Sequence, residues 1–564
     1  MDFKKELCHY ISKEINLPYD ELQKLIEIPQ RNLGNFALPC FKFAKERKKS
    51  PQAVSEELSN TLKGSIPFIE NIVPSGPYLN FFINKSFFAE TVLKEAIAKG
   101  DNYGSSDIGK GKTIVIDYSS PNIAKPFHVG HLRSTVIGQA LYNIYAFLNY
   151  SCIGVNHLGD WGTQFGKLIV AYKLWSSKEE VEEGGINALN SVYVKFHEES
   201  EKDPSLNDKA REYLLKMEEG DVEALAIWQF FNDISLKEFE KVYAKLGVSF
   251  DYYTGESFYS DKMPAVINEL TEKNLLINSN GAQVVDLEQF NLQPCLILRS
   301  DGGTLYPTRD LATVIYRKNK FDFHKALYVT AADQSLHFAQ FFRVIQRMGY
   351  SWWNQLHHIP FGLVSLSTGK LSTRKGNVVL MEDLLNLAVK KAYEIIQEKN
   401  PTLENKETIS NHIGIGSIIF NDLYNSRIKD VTFSLEKMLN FEGETGPFVQ
   451  YSHVRACSLL EKGGNINFDD IDYTNFTDEA SQNLISNIYY YKEKLIDATE
   501  KNEPYIITRH LIDLAQVFNK FYQSNQILTE DKTLKNSRLA LVFVTKKILE
   551  NGLKLLGIKA PNKM

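Results

Sequence analysis

The chain has 564 residues, enough for three or four domains at about 150 residues each. Its 43% apolar and 24% charged residues are an ordinary globular composition, which excludes a disordered, collagen-like or coiled-coil protein. The 64 Lys and Arg against 69 Asp and Glu leave a net charge of −5, so a polyanion must be met by local basic patches.

Residues 1–110 are expected to form a small N-terminal α+β domain. Leu22, Leu25 and Ile26, then Ala53, Val54, Leu58 and Leu62, recur at helical spacing, and Tyr78–Ile83 reads as a strand. Lys42, Lys45, Arg47, Lys48 and Lys49 lie beside Phe36, Phe41 and Phe43, either as a solvated helix face or as a patch for a polyanion. The breaker-rich residues 101–111 serve as a linker.

Residues 111–400 alternate between strands and helices. Thr113–Asp117 reads as a buried strand, and a helix begins near Gly130 with Leu132, Val136, Ala140, Ile144 and Leu148 on one face. Residues 152–155 and 326–330 read as further strands, the latter entering a helix with Asp333 as N-cap. This order predicts a parallel sheet covered by helices, with ligands bound outside the carboxyl ends of its strands. The charged stretch from about 175 to 300 is read as an insertion.

Residues 401–564 are expected to be an all-α helical bundle, with an apolar stripe through Leu511, Leu514, Val517, Phe518 and Phe521. The last 34 residues carry eight basic and two acidic side chains. The expected fold is thus α/β, a Rossmann-like parallel-sheet domain flanked by a small α+β domain and a helical bundle.

Cys8, Cys40, Cys152, Cys295 and Cys457 are widely spaced and odd in number, so neither a disulfide framework nor a cysteine zinc site is expected, and a reducing cytoplasm is. Asp2, Glu6, Glu14 and Asp20 interrupt any signal-peptide core, and no stretch of about 18 uncharged apolar residues predicts a membrane partner.

The most informative segment is Asp117-Tyr-Ser-Ser-Pro-Asn122-Ile-Ala-Lys125-Pro-Phe-His128-Val-Gly130-His131. It joins a strand end to a helix N-terminus, where free N–H groups and the positive dipole end suit a phosphate. Gly130 leaves room for a nucleotide against the backbone. The two imidazoles either donate hydrogen bonds to phosphoryl oxygens or cap the helix; two ligands three residues apart do not make a zinc site. A second segment, Lys370-Leu-Ser372-Thr-Arg374-Lys375 between Gly369 and Gly376, is a cationic loop suited to closing over a triphosphate.

Together these two segments resemble the HIGH and KMSKS signatures of class I aminoacyl-tRNA synthetases. Ser119-Ser-Pro-Asn-Ile-Ala-Lys-Pro, Leu158-Gly-Asp-Trp-Gly-Thr-Gln-Phe-Gly166, Tyr306-Pro-Thr-Arg-Asp310, Asp333-Gln-Ser-Leu-His-Phe338 and Thr445-Gly-Pro-Phe-Val-Gln-Tyr451 narrow the resemblance to the arginyl-tRNA synthetase family over nearly the whole chain. Leu371 and Thr373 depart from the methionine and second lysine of KMSKS, which leaves the phosphate contact to Arg374 or Lys375.

The resemblance implies activation of L-arginine by ATP, carried with Mg²⁺ as a substrate complex, and transfer to the 3′-terminal ribose of its tRNA. It implies that Lys125, His128, Gly130 and His131, with Lys370, Ser372, Arg374 and Lys375, serve ATP and its phosphates. It implies that Asp117 and Asp310 supply buried, unpaired carboxylates to the substrate guanidinium beside Tyr306, while Ser120, Asn122 and Gln334 hold its α-amino and carboxylate end. Phe448, Tyr451 and Met564 are the implied tRNA contacts, residues 1–110 meeting the tRNA elbow and 401–564 the anticodon. A monomer without a structural metal is expected. Two rivals stand beside this: a bare nucleotidylyltransferase, which leaves the helical bundle without a use, and a catalytically inert tRNA-binding paralogue, which leaves the histidines and acids without one.

Overall fold

The computed structural model describes residues 1–15, 17–29, 33–366 and 379–564. By internal packing the chain forms two compact units: Met1–Tyr103 with Arg455–Tyr491 and Asp513–Ile548, and Gly104–Val454 with Lys492–Ile512 and Leu549–Met564.

In the first unit, β1 (Phe36–Pro39), β2 (Ile69–Ser75) and β3 (Tyr78–Ile83) form an antiparallel sheet in the order β1–β3–β2. The helix Pro51–Leu62 starts where Ser50 accepts the Ala53 N–H and Pro51 supplies a preset φ, and it buries Val54, Leu58 and Leu62 as their spacing predicts. Phe3 is fully buried against Phe68, Phe88 and Tyr489, so residues 455–491 share this core. The basic cluster at 42–49 is partly neutralised: Lys42 pairs with Glu21, and Arg47 and Lys49 both pair with Glu57.

The second unit is built on β4 (Thr113–Asp117), β5 (Ser151–Asn156) and β6 (Tyr252–Tyr253). An antiparallel meander follows, of β7 (Leu276–Ser279), β8 (Ala282–Val285) and β9 (Cys295–Leu298). Then come β10 (Lys325–Tyr328), β11 (Leu356–His358), β12 (Val364–Leu366) and β13 (Val431–Phe433). The main sheet has the order β11–β10–β4–β5–β6 and is parallel throughout. Asp117 therefore ends the central strand, in register with Tyr328 and Val155.

One face of this sheet is an apolar core in which Val115, Val155, Ala326 and Leu356 meet Leu311, Val314, Phe341 and Val344 of the covering helices Tyr306–Phe321 and Ser335–Arg347. Ile114 and Ile116 point to the other face by the two-residue period of a strand and are equally buried. The helix Leu132–Phe147 is buried nearly all round, including Arg133, Ser134, Thr135 and Gln139.

Three local expectations are corrected. Tyr252–Tyr253, inside the stretch read as an insertion, is the edge strand of the main sheet, and two residues are too few to show a period. The C-terminal part is not wholly helical, because β13 pairs with β12. Asp333 does not cap the helix Ser335–Arg347: it lies within the 3-10 turn Ala332–Gln334 that leads into it, and Gln334 takes the cap position. Among the described residues no helix is long and apolar enough to cross a membrane.

Candidate active site

The loop after β4 is held in a conformation that side chains resist. Ser119, Ser120 and Ala124 have φ of 71°, 47° and 60°, in the left-handed region that costs a non-glycine residue on the order of 1 kcal/mol. Hydrogen bonds fix each of them. Ser119 N–H donates to Ser134 Oγ at 2.9 Å, Ser120 N–H to Asn156 Oδ1 at 3.1 Å, and Ala124 N–H to Ser235 Oγ at 2.9 Å. Tyr243 Oη ties Ser119 Oγ at 2.8 Å to Asn156 Nδ2 at 3.0 Å, joining the ends of β4 and β5.

The histidines cap the turn that opens the helix. His128 Nδ1 accepts the Gly130 N–H at 3.0 Å, and His131 Nδ1 accepts the His128 N–H at 3.2 Å, a reciprocal pair opening the helix. Each ring thereby holds its proton on Nε2. Burial pushes His131 down to about 3 and lowers His128 too, with the Lys125 ammonium adding to both effects. Both imidazoles are therefore neutral N–H donors at physiological pH, their ring centroids 4.0 Å apart. A Cβ on Gly130 would lie 2.7 Å from the His128 ring, so the glycine is needed for this turn.

The acidic side of the crevice differs from expectation. Asp117 is buried as expected but not unpaired. Its Oδ2 receives Arg317 Nη1 at 2.6 Å and its Oδ1 receives Ser120 Oγ at 2.9 Å, with Arg317 1% and Asp117 9% exposed. The covering helix Tyr306–Phe321 brings this internal guanidinium under the strand end, so Asp117 organises the loop through Ser120. Asp310, on the same helix, is about 29% exposed and meets His337 Nε2 at 2.5 Å.

Glu256, in the turn after β6, is the acid that the residue pattern did not single out. It receives Arg309 Nη1 at 2.9 Å. Burial pushes it up to about 7; Arg309 pulls it down, and the charges of Asp310 and Asp160 push it up. Asp160 holds that turn by accepting the Ser257 N–H at 2.8 Å and its hydroxyl at 2.6 Å. The charges of Asp117 and Asp310 both reach His157 and Tyr328, which places the acids in one neighbourhood.

Of the other residues singled out, Asn122 is exposed and bridged to Gly159, Tyr306 is 65% exposed at the start of its helix, and Gln334 is exposed on the turn after β10. Lys125 is half-buried behind the histidine turn. Phe448 is half-buried and Tyr451 exposed on the helix Gly446–Gly463, while Met564 packs against the apolar cluster of Ile396, Ile409, Ile413 and Leu439. Lys370, Ser372, Arg374 and Lys375 lie outside the described residues. Besides Glu256, Arg317 and His337 were missed. Arg317 is seven residues after Asp310 on one helix face, and His337 stands inside a quoted block, but their pairings are non-local.

Comparison with known proteins shows the family. Residues 92–435 match the family described as tRNA synthetases class I (R), catalytic domain; residues 2–83 match the arginyl tRNA synthetase N terminal domain; and residues 449–564 match the DALR anticodon binding domain. The arginine–tRNA ligases of Alkaliphilus metalliredigens and Clostridioides difficile are 53% and 51% identical to this chain, each over the full length of both. Among solved structures, the Plasmodium falciparum arginyl-tRNA synthetase superposes with a TM-score of 0.83 at 26% identity, over 100% of this chain and 99% of that one. The Thermus thermophilus arginyl-tRNA synthetase, at 24% identity and a TM-score of 0.82, has the same fold over 100% of this chain and 99% of that one. The chain belongs to the arginyl-tRNA synthetase family of class I aminoacyl-tRNA synthetases.

Proposed function

We propose that this arginine–tRNA ligase charges its tRNA in two steps. A carboxylate oxygen of arginine attacks the α-phosphorus of ATP, and the bond to pyrophosphate breaks; the terminal ribose hydroxyl of tRNA then attacks the activated carbonyl and AMP leaves. Neither step needs a covalent link to the protein, so positioning and charge stabilisation carry the catalysis.

The observation that supports this best is the His128–His131 turn, whose capping bonds leave two neutral Nε2–H donors beside Lys125 at a helix N-terminus. Such preset donors stabilise charge that develops on α-phosphoryl oxygens. Gly130 lets the nucleotide approach the backbone. Mg²⁺ arrives with ATP, and Lys370, Ser372 and Arg374 or Lys375 cover the pyrophosphate.

For arginine, a planar cation with five donors, the pocket needs more than one carboxylate in fork geometry. Asp117, Asp310 and Glu256 each already meet a partner, Arg317, His337 and Arg309; Asp310, the more exposed, and Glu256 beside it are the acids we assign to the guanidinium, and Tyr306 packs beside it. Asp117 acts behind Ser120, while Asn122, Ser120 and Gln334 hold the α-amino and carboxylate end. Carboxylates left unpaired by a neutral analogue give a discrimination on the order of 10⁴ without editing.

Residues 1–110 are assigned to the tRNA elbow and 401–564 to the anticodon, with Phe448, Tyr451 and Met564 as contacts. The protein is read as a cytoplasmic monomer. ATP–pyrophosphate exchange with each amino acid, with and without tRNA, tests the assignment: exchange with arginine alone is expected, and equal exchange with lysine or glutamine refutes the pocket.

A further inference from the structure

Arg133 lies two residues beyond His131, a permanently charged group with no exposed surface. Burying a guanidinium costs several kcal/mol unless its donors are met, so each contact it makes is informative. Its Nη1 donates to the Lys429 carbonyl at 2.7 Å and to the Gly362 carbonyl at 3.1 Å. Its Nε stands 3.0 Å from Asp422 Oδ1 on the helix Lys406–Leu423, a carboxylate that is itself fully buried. Its Cζ sits 5.9 Å from the centre of the Phe361 ring.

The carbonyls it holds belong to a junction. Phe361 N–H donates to Thr330 O at 3.2 Å, and Ala332 N–H to Phe361 O at 3.0 Å, next to Gln334. Gly362 N–H donates to Arg427 O at 2.9 Å, Leu363 N–H to Asp430 Oδ1 at 2.7 Å, and Val431 N–H to Leu363 O at 2.9 Å. A Cβ on Gly362 would lie 2.7 Å from Asp430 Oδ1 and from the Lys429 carbonyl carbon, so the two chains touch here. In the sequence β12 is followed by the segment that contains Lys370. The returning chain is also tied to the histidine turn: Val129 N–H donates to Val379 O at 3.2 Å, and Met381 N–H to Phe127 O at 3.0 Å.

We propose that Arg133 is a positioning residue for adenylate formation, fixing the root of β12 to the first turn of the helix that follows the His128–His131 turn. It touches no reacting atom. Nη1 addresses two carbonyls while Nε faces a carboxylate, which ties the histidine turn, the β12–β13 junction and the helix Lys406–Leu423 together; a single ammonium lacks this spread of donors. A displacement of about 1 Å at reacting groups costs on the order of 10²-fold in rate, and this contact prevents it.

The test uses the full-length enzyme in ATP–pyrophosphate exchange. Replacing a buried ion pair by apolar residues of similar volume is often neutral for stability. The double variant R133M/D422L is therefore expected to keep its melting temperature, while kcat falls by about 30-fold or more and KM for arginine stays within about twofold. Arg133→Lys keeps the charge beside Asp422 but loses the fork; it is expected to fold normally and to lose kcat to a smaller degree. A double variant that is folded and turns over at the wild-type rate overturns the proposal. So does a loss of rate, in either variant, that only follows the unfolded fraction measured by circular dichroism. Should the double variant fail to fold, Arg133→Lys decides alone: a wild-type kcat refutes the role, and a reduced kcat at an unchanged melting temperature supports it.

Discussion

Asp117→Asn separates the organising role of this residue from a direct hold on the substrate. The substitution keeps the side-chain shape and leaves an oxygen for Ser120, but it strips the charge that faces Arg317 at 2.6 Å. Arg317 is 1% exposed and has no route to water, so its guanidinium becomes an uncompensated buried cation. Breaking such a pair from one side costs about 3–5 kcal/mol. With an m-value of about 3 kcal/mol/M, the urea midpoint of the unit that holds β4 should drop by about 1–1.7 M. Adding Arg317→Met removes the orphaned charge, and the double variant should regain part of the loss, a coupling of about 1–3 kcal/mol. Urea unfolding followed by near-ultraviolet circular dichroism on the wild type, both single variants and the double variant reads this directly. An Asp117→Asn protein with a wild-type midpoint, or single and double variants of equal stability, refutes the claim that Arg317 occupies this carboxylate.

Glu256, pushed up to about 7 mainly by burial, should give the proposed arginine site a pH dependence. As pH falls through about 7 it takes up a proton and loses its charge, so KM for arginine should rise between pH 8 and 6, and Glu256→Gln should flatten that profile; a wild-type KM that is flat over this range contradicts the role. For folding the sign is opposite, since an acid raised in the folded state costs stability as pH rises from the unfolded value towards 7. His131, held near 3, stays neutral throughout the working range, so its phosphate contact should show no titration there. His131→Gln should lower exchange kcat by about 10²–10³-fold with little change in KM for arginine, and a kcat within a factor of three of the wild type would remove His131 from the transition state.

Much of the fold was legible because its signals are local. Thr113–Asp117 and Tyr78–Ile83 were bounded to the residue by their apolar runs, and Val54, Leu58 and Leu62 marked a helix by their spacing. Tyr252–Tyr253 and Val431–Phe433 were not, because strands of two and three residues carry no period and are defined only by the neighbours they pair with.

The same division holds in the site. Sequence by itself determined that two histidines flank a glycine at a helix start after a parallel strand, and that Asp117 and Asp310 are acids near strand and helix ends, since these follow from spacing along one chain. Only the tertiary structure decided which partner each acid meets. It placed Arg317, 200 positions from Asp117, under the central strand, and set Glu256 beside the field of Asp310. It also decided the charge of the histidines, through burial, and gave Arg133 its three partners from two distant segments. Charge pairing and desolvation depend on distance in space, and that distance is set by how the helices pack on the sheet rather than by any interval in the chain.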